Sequence, residues 1–410
     1  MADFHQSGNI ATFHDLRTQS TEAMMREVEA FGASRKITLI LPSLFSELEG
    51  EALPRILDEL EKVPFLHRIV IGLDRASREQ YIYARTFFSR LKQDHVVLWN
   101  DGPRLKAIDA RLETLALAPS EPGKGRNVWF CLGYTLARQD SSVVAVHDCD
   151  VLTYSAEMLT RLVYPVANPG FPYQMSKGFY PRVAEGKLNG RVSRLLVSPI
   201  LQAMKHVLGP RDYLDFLSGF RYPLAGEFAM RTNILPDMRI PSDWGLEIGL
   251  LSEAWRNLSP RSVCQVEISD RYDHKHQDLS AEDASAGLSR MSVDICKALY
   301  RKLAADGTVL SDEIFRSIKA TYYRMALDLV DTYYNDARMN GLHVDRHAEE
   351  GAVELFASNI MRAGQLFLEN PMETPFIASW NRVHAADQTI MQDMVDAVKE
   401  DESDFMPAFA

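Results

Sequence analysis

The chain has 410 residues, 46% hydrophobic and 25% charged, the proportions of an ordinary globular protein with room for one large domain or two. Lys and Arg number 45 against 56 Asp and Glu, a net charge of −11, and no basic stripe carries interleaved aromatics, so nucleic acid is excluded as the main partner. No apolar run reaches the roughly 18 residues of a membrane span; the first residues lack the pattern of a secretory signal, and Cys131, Cys149, Cys264 and Cys296 are scattered without a CxxC pair, which points to reduced thiols in a cytoplasm.

Met24, Met25, Val28 and Phe31 recur at helical spacing and predict an amphipathic helix over 13–33. KITLILPSL (36–44) is a short apolar run, the pattern of a buried parallel strand. A helical period over 50–63 precedes a second strand, 67–74, which ends in Asp74. The stretch 78–93 reads as a helix and 95–101 as a third strand ending in Asp101. GKGRNVWFCLGYTLARQ (123–139) is a glycine loop opening a helix, and SSVVAVHDCDVLTY (141–154) is a fourth strand running into Asp148 and Asp150. This alternation predicts an α/β sheet with helices on both faces. Ligands of such sheets bind at the carboxyl ends of the strands, where these aspartates fall. Residues 151–275 are broken by glycine and proline and read as site-bearing loops. From about residue 280 the texture is helical only: Ser280–Asp283 resembles a capping box, and helical patterns follow at 283–305, 311–338, 345–368 and 383–400. Together with the N-terminal helix they carry enough apolar stripe to predict a two-fold homodimer.

Two carboxylates one residue apart repel unless solvent or a cation intervenes. In an extended segment Asp148 and Asp150 point to one side and Cys149 to the other, so the pair can grip one Mg2+ or Mn2+. Two solvated loop carboxylates would give the same letters. Gly123-Lys124-Gly125-Arg126-Asn127 opens a helix, and helix N–H groups beside a lysine favour phosphate, although a plain glycine turn looks alike. In DRYDHKHQDLS (270–280), His274 becomes a third metal ligand if the segment folds over the sheet end; otherwise it and His276 are exposed or capping histidines.

The ordered set LPSLFSE, GLD, GKGRN, DCD, NGRVSR, PLAGEF, WGLEIGLL and DHKHQDL, spread over residues 36–280, resembles the retaining glucosyl-3-phosphoglycerate synthase family. The resemblance implies a GT-A (Rossmann-like) nucleotide-sugar-binding domain with a mixed, mostly parallel sheet. It implies an N-terminal helical extension over 1–34, a catalytic domain over 35–280 with its donor half at 35–155 and acceptor half at 156–280, and an all-helical C-terminal region over 281–410. The implied activity is metal-dependent hexosyl transfer, with retention, from UDP-glucose to 3-phosphoglycerate, the first step toward the compatible solute glucosylglycerate.

Carried over by motif, Pro42, Ser43, Leu44 and Glu47 would lie near the uridine, with Asp74, Lys124, Asp148 and Cys149 also on the nucleotide side. Leu224, Ala225 and Glu227 would line the sugar pocket, and Gly190, Arg191, Ser193, Trp244 and His276 the acceptor site. Asp148, Asp150 and His274 would hold the metal, and Asp148, Asp150, Glu227 and Glu247 are the catalytic candidates. The family pattern more often has threonine at Ser193 and asparagine at His276; serine keeps the hydroxyl, whereas the histidine leaves its contact open. Retention could follow a front-face route, favoured here, or use a carboxylate nucleophile, for which Glu227 is the nearest candidate. Alternatives from the residues are mannosyl transfer from GDP-mannose, direct use of glycerate, a nucleotidyltransferase releasing pyrophosphate, and a non-catalytic sugar-nucleotide sensor.

Overall fold

In the computed structural model, which describes residues 6, 8–273 and 287–405, the alternating strands and helices build one mixed sheet. Its strands are β1 (Ala11–Phe13), β2 (Ile37–Leu44), β3 (Leu66–Asp74), β4 (His95–Trp99), β5 (Val143–Val146), β6 (Met175–Phe179), β9 (Phe228–Arg231) and β10 (Val263–Glu267). They lie in the order β1-β10-β6-β9-β5-β2-β3-β4, and a separate hairpin pairs β7 (Val183–Ala184) with β8 (Lys187–Leu188). Among the described strands of the eight-stranded sheet only β9 runs against its neighbours, antiparallel to both β5 and β6. Strands β3 and β5 are buried along almost their whole length, which is why they read as unbroken apolar runs.

On the first half of the chain lie α1 (Thr21–Gly32), α2 (Ala52–Leu60), α3 (Arg78–Phe88), α4 (Pro103–Thr114), α5 (Lys124–Arg138) and α6 (Ala156–Ala167). Helix α1 is later and shorter than its apolar spacing suggests, because Ser20 caps it by accepting a hydrogen bond from the Ala23 N–H at 3.2 Å. The stretch 1–34 is also more than a helical extension: Ala11–Phe13 pairs with β10 as an edge strand, too short for its alternation to be visible in sequence. Helix α4, not among the expected elements, buries Leu105, Ile108 and Leu112 at helical spacing; it opens with Pro103, whose fixed φ suits a first helical turn.

The middle of the chain adds α7 (Ser198–Leu208), α8 (Asp212–Ser218) and α9 (Leu246–Asn257), with a π-helical turn, Val192–Val197, running directly into α7. The C-terminal part holds α10 (Gly287–Ala305), α11 (Asp312–Met339), α12 (Arg346–Glu369), α13 (Trp380–Ala386) and α14 (Ile390–Asp404). Phe315, Ile318, Tyr322, Ala326 and Val330 form the buried stripe of α11, which packs on α7 and α12. Helix α14 returns to α4, α5 and β4. Trp380 of α13 stacks on Trp129 of α5 with ring centroids 4.1 Å apart, and burying side chains of this size contributes roughly 1.5–3 kcal/mol each. The buried stripes of the C-terminal helices pack within the chain, in a core continuous with one face of the sheet, and Val28 of α1 joins a second core. The capping-box stretch Ser280–Asp283 lies outside the described residues. Among the described residues no helix is long and apolar enough to cross a membrane.

Candidate active site

The carboxyl ends of β2, β3 and β5 and the first turn of α5 open into a cleft of about 990 Å³. One wall carries Pro42, Ser43, Leu44 and Glu47 from the end of β2 and the turn after it, with Asp74 from the end of β3. Asp74 accepts a hydrogen bond from the Asn100 side chain at 2.8 Å, and burial raises its pKa. Asp101 lines no part of the cleft; it braces a loop by accepting from the Ala76 N–H at 3.3 Å.

Beyond β5 the chain bends at Cys149, and exposure still alternates as the sequence implied: Asp148 and Asp150 are half-buried and Cys149 is buried. All three border the cleft. Burial and then the charge of Asp148 push the Asp150 carboxyl up to about 7, with Lys124 pulling the other way. Such a crowded acidic pair suits a hard divalent cation. Among the described residues no set of three His, Cys, Asp or Glu could hold an ion alone. The expected third ligand, His274, lies outside those residues, as does His276.

Lys124 is the first residue of α5, so the helix brings both its N-terminal N–H groups and this ammonium to the cleft. Its Nζ lies 2.6 Å from Asp148 Oδ1 and 3.3 Å from Glu247 Oε1, Glu247 coming from the first turn of α9. Burial works against the charge on Lys124, but Asp148 and Glu247 outweigh it and its pKa is raised.

Leu224 and Gly226 border the cleft from the turn before β9, while Ala225 and Glu227 are wholly buried behind it. The Glu227 carboxylate accepts at one oxygen from Tyr180 Oη at 2.7 Å and at the other from Tyr272 Oη. The two phenol rings stack 3.7 Å apart with planes 3° from parallel. Burial, then Asp148, raises the pKa of Glu227, and the two hydroxyls oppose them.

The loop Gly190–Ser193 lines the same cleft as the acidic pair, with Gly190, Arg191 and Ser193 all at its surface. Gly190 has φ +78°, a left-handed turn that lets the chain swing straight into the helical run from Arg191 onward. The first N–H groups of that run lack intrahelical acceptors, a ready anion cradle. Trp244 sits at the rim, 38% exposed, and is not a core residue.

Several residues in the cleft or buried in the sheet gave no signal in the sequence. Arg182 donates to Tyr222 Oη at 3.1 Å and lies over the Tyr272 ring, 5.6 Å from its centroid. Lys177 is fully buried in β6 and donates to the Ala225 carbonyl; burial lowers its pKa to about 8 despite Glu247 and Glu227 nearby. The aromatic run GFYPRV after a strand is the one hint that Tyr180 and Arg182 belong to a site.

No family model matches the chain. It is 42% identical over 404 residues to the glucosyl-3-phosphoglycerate synthase of Persephonella marina, covering 98% of this chain and 100% of that one. To the synthase of the same name from Methanococcoides burtonii it is 35% identical over 408 residues, covering 98% and 99%. A crystal structure of the Mycobacterium tuberculosis glucosyl-3-phosphoglycerate synthase in complex with Mn2+, UDP-glucose and phosphoglyceric acid superposes with a TM-score of 0.53 at 23% identity, over 74% of this chain and 89% of that one. The mannosyl-3-phosphoglycerate synthase of Rubrobacter xylanophilus gives a TM-score of 0.53 at 18% identity, over 73% and 83%. At these identities the two solved structures speak to the fold, a GT-A arrangement of mixed sheet and helices.

Proposed function

The chain belongs to the glucosyl-3-phosphoglycerate synthase family, and from that premise we propose that its cleft transfers glucose, with retention, from UDP-glucose to the hydroxyl of 3-phosphoglycerate. The observation that carries this reading is that two separate cationic groups line one cleft: Lys124, 2.6 Å from Asp148 at the start of α5, and Arg191 at the start of the helical run after Gly190. Two phosphate-bearing molecules can thus be held in the same cleft.

Pro42, Ser43, Leu44, Glu47 and Asp74 form the uridine wall, and Lys124 balances charge on the diphosphate as it departs. A divalent cation, Mg2+ or Mn2+, held by Asp148 and Asp150, with His274 as the candidate third ligand, would add Lewis-acid neutralisation of that leaving group. Arg191, Ser193 and the N–H groups of the following turn grip the acceptor phosphate, with Trp244 at the rim. Fixing the phosphate orients the acceptor hydroxyl at the anomeric carbon, so binding energy lowers the entropic part of the barrier.

Glu227 is fully buried and both its oxygens accept from tyrosines, an arrangement that supports the front-face route over nucleophilic attack by this residue. In that route the departing phosphate oxygen takes the acceptor's proton. Glu227 and Glu247 then act by orienting Lys124 and the turn 224–226. All four cysteines are free thiols, in keeping with a reducing cytoplasm.

The test is a matrix of UDP-glucose and GDP-mannose against 3-phosphoglycerate and glycerate, with and without chelator, reading the released nucleoside diphosphate. Metal-dependent UDP release with UDP-glucose and 3-phosphoglycerate alone is expected. Turnover confined to GDP-mannose or to glycerate, or pyrophosphate release from a nucleoside triphosphate, would overturn the reading.

A further inference from the structure

Arg191 has a partner outside the catalytic part of the chain. Glu349, in the first turn of α12 and 1% exposed, accepts two hydrogen bonds from the Arg194 guanidinium, one of them from Nη1 at 3.0 Å. The same carboxylate lies 3.8 Å from Arg191 Nε. Arg194 in turn donates through Nε to the Asn189 carbonyl at 2.9 Å, and its guanidinium covers the Tyr333 ring of α11 at 4.8 Å. One turn further back, the His343 N–H donates to the Gly186 carbonyl at 2.7 Å, and Lys187 and His343 form a β-bridge. Both ends of the segment that presents Gly190, Arg191 and Ser193 are therefore tied to the junction of α11 and α12.

A buried carboxylate is costly without partners, and a bidentate arginine is the partner that best fits its geometry. Glu349 and Arg194 cancel in charge, which leaves Arg191 as the net positive group of the loop. Arg191 Nε lies 3.8 Å from Glu349, beyond hydrogen-bond distance, so the carboxylate acts on the Arg191 guanidinium by charge attraction, drawing it toward one end of the loop.

We propose that Glu349 is a positioning residue of the acceptor site: it holds Arg194 as a strut and fixes Arg191 for the phosphate of the acceptor. This rests on the assignment of Arg191 to that phosphate. It gives the C-terminal helices a role in acceptor recognition rather than in covering the sheet alone.

Initial-rate kinetics on Glu349→Gln, with UDP-glucose and 3-phosphoglycerate each varied, separate this role from a merely structural one. The acceptor KM should rise about tenfold while the donor KM stays within about twofold, and Glu349→Asp should recover part of the loss. Unchanged constants, or equal changes in both KM values, would overturn the proposal. So would a fall in acceptor KM, which would mean that Glu349 masks charge instead of aiming it. If Glu349→Gln does not fold, the double variant Arg194→Met/Glu349→Met removes both charges at similar volume. Its acceptor KM should rise in the same selective way, and a wild-type value would sink the idea. Arg191→Ala tests the underlying assignment separately: an unchanged acceptor KM there removes Arg191 from the acceptor site. A raised KM there with an unaltered Glu349→Gln removes only the proposal.

Discussion

Gly226 presses against Asp148: a β-carbon at Gly226 would stand 2.3 Å from Asp148 Oδ2 and 2.8 Å from Lys124 Nζ. The turn before β9 thus sets how closely the acidic pair and the lysine can approach. Gly226→Ala should displace one or both and lower kcat about 100-fold or more, since misplacement by an ångström has effects of that size. Far-UV circular dichroism should stay native. Wild-type turnover in this variant would mean that the contact has no bearing on catalysis.

Asp150 and Asp148 repel across one intervening residue, and the burial of Asp150 adds to the cost. Asp150→Ala should therefore abolish metal-dependent transfer while leaving the metal-free protein as heat-stable as wild type, or more so. Manganese should raise the melting temperature of wild type and not of the variant. Retained full turnover, or an equal manganese shift in both proteins, counts against Asp150 as a ligand.

The legible parts of this site were the local ones. A strand end carrying two carboxylates, and a glycine loop opening a helix, are patterns over a few neighbouring residues, and α5, β5 and the Asp148–Asp150 alternation follow them. The illegible parts join distant residues. Glu349 meets Arg194 across 155 residues, and Tyr272 meets Glu227 across 45, so neither pair has a period or spacing to read. Lys177 gave no signal because what lets a lysine lie inside is remote in sequence: the Ala225 carbonyl and the nearby carboxylates of Glu247 and Glu227. Edge strand β1 was missed because three residues cannot display an alternation.

Glu227, with both oxygens engaged by Tyr180 and Tyr272, is the residue on which the two retaining mechanisms can be tested apart. In Glu227→Ala the emptied space would admit azide. If the carboxylate were the nucleophile, azide would restore donor cleavage and yield a glucosyl azide of inverted configuration. None is expected, and Glu227→Gln should keep more activity than Glu227→Ala because the amide oxygen still accepts from one tyrosine. Detection of the azide adduct by mass spectrometry would reinstate the double displacement.

Asp243 offers a stability test that is independent of turnover. It lies at the cleft beside Trp244, and its Oδ1 accepts from the Gly245 N–H at 2.9 Å. Burial, then the charge of Asp294, pushes its carboxyl up to about 7. An acid with a higher pKa folded than unfolded binds its proton more tightly in the folded state. Stability consequently falls as pH rises from about 4, the unfolded value, and the loss is complete above the folded pKa. Asp243→Asn keeps an acceptor for the Gly245 N–H and cannot ionise. It should melt above wild type at pH 8, by on the order of 1–2 kcal/mol given the partial exposure of the group. That advantage should shrink as pH drops through 7 and vanish near 4. A gap that stays constant from pH 5 to pH 8 would show that Asp243 does not titrate in this range and that the cleft tolerates its charge at no cost.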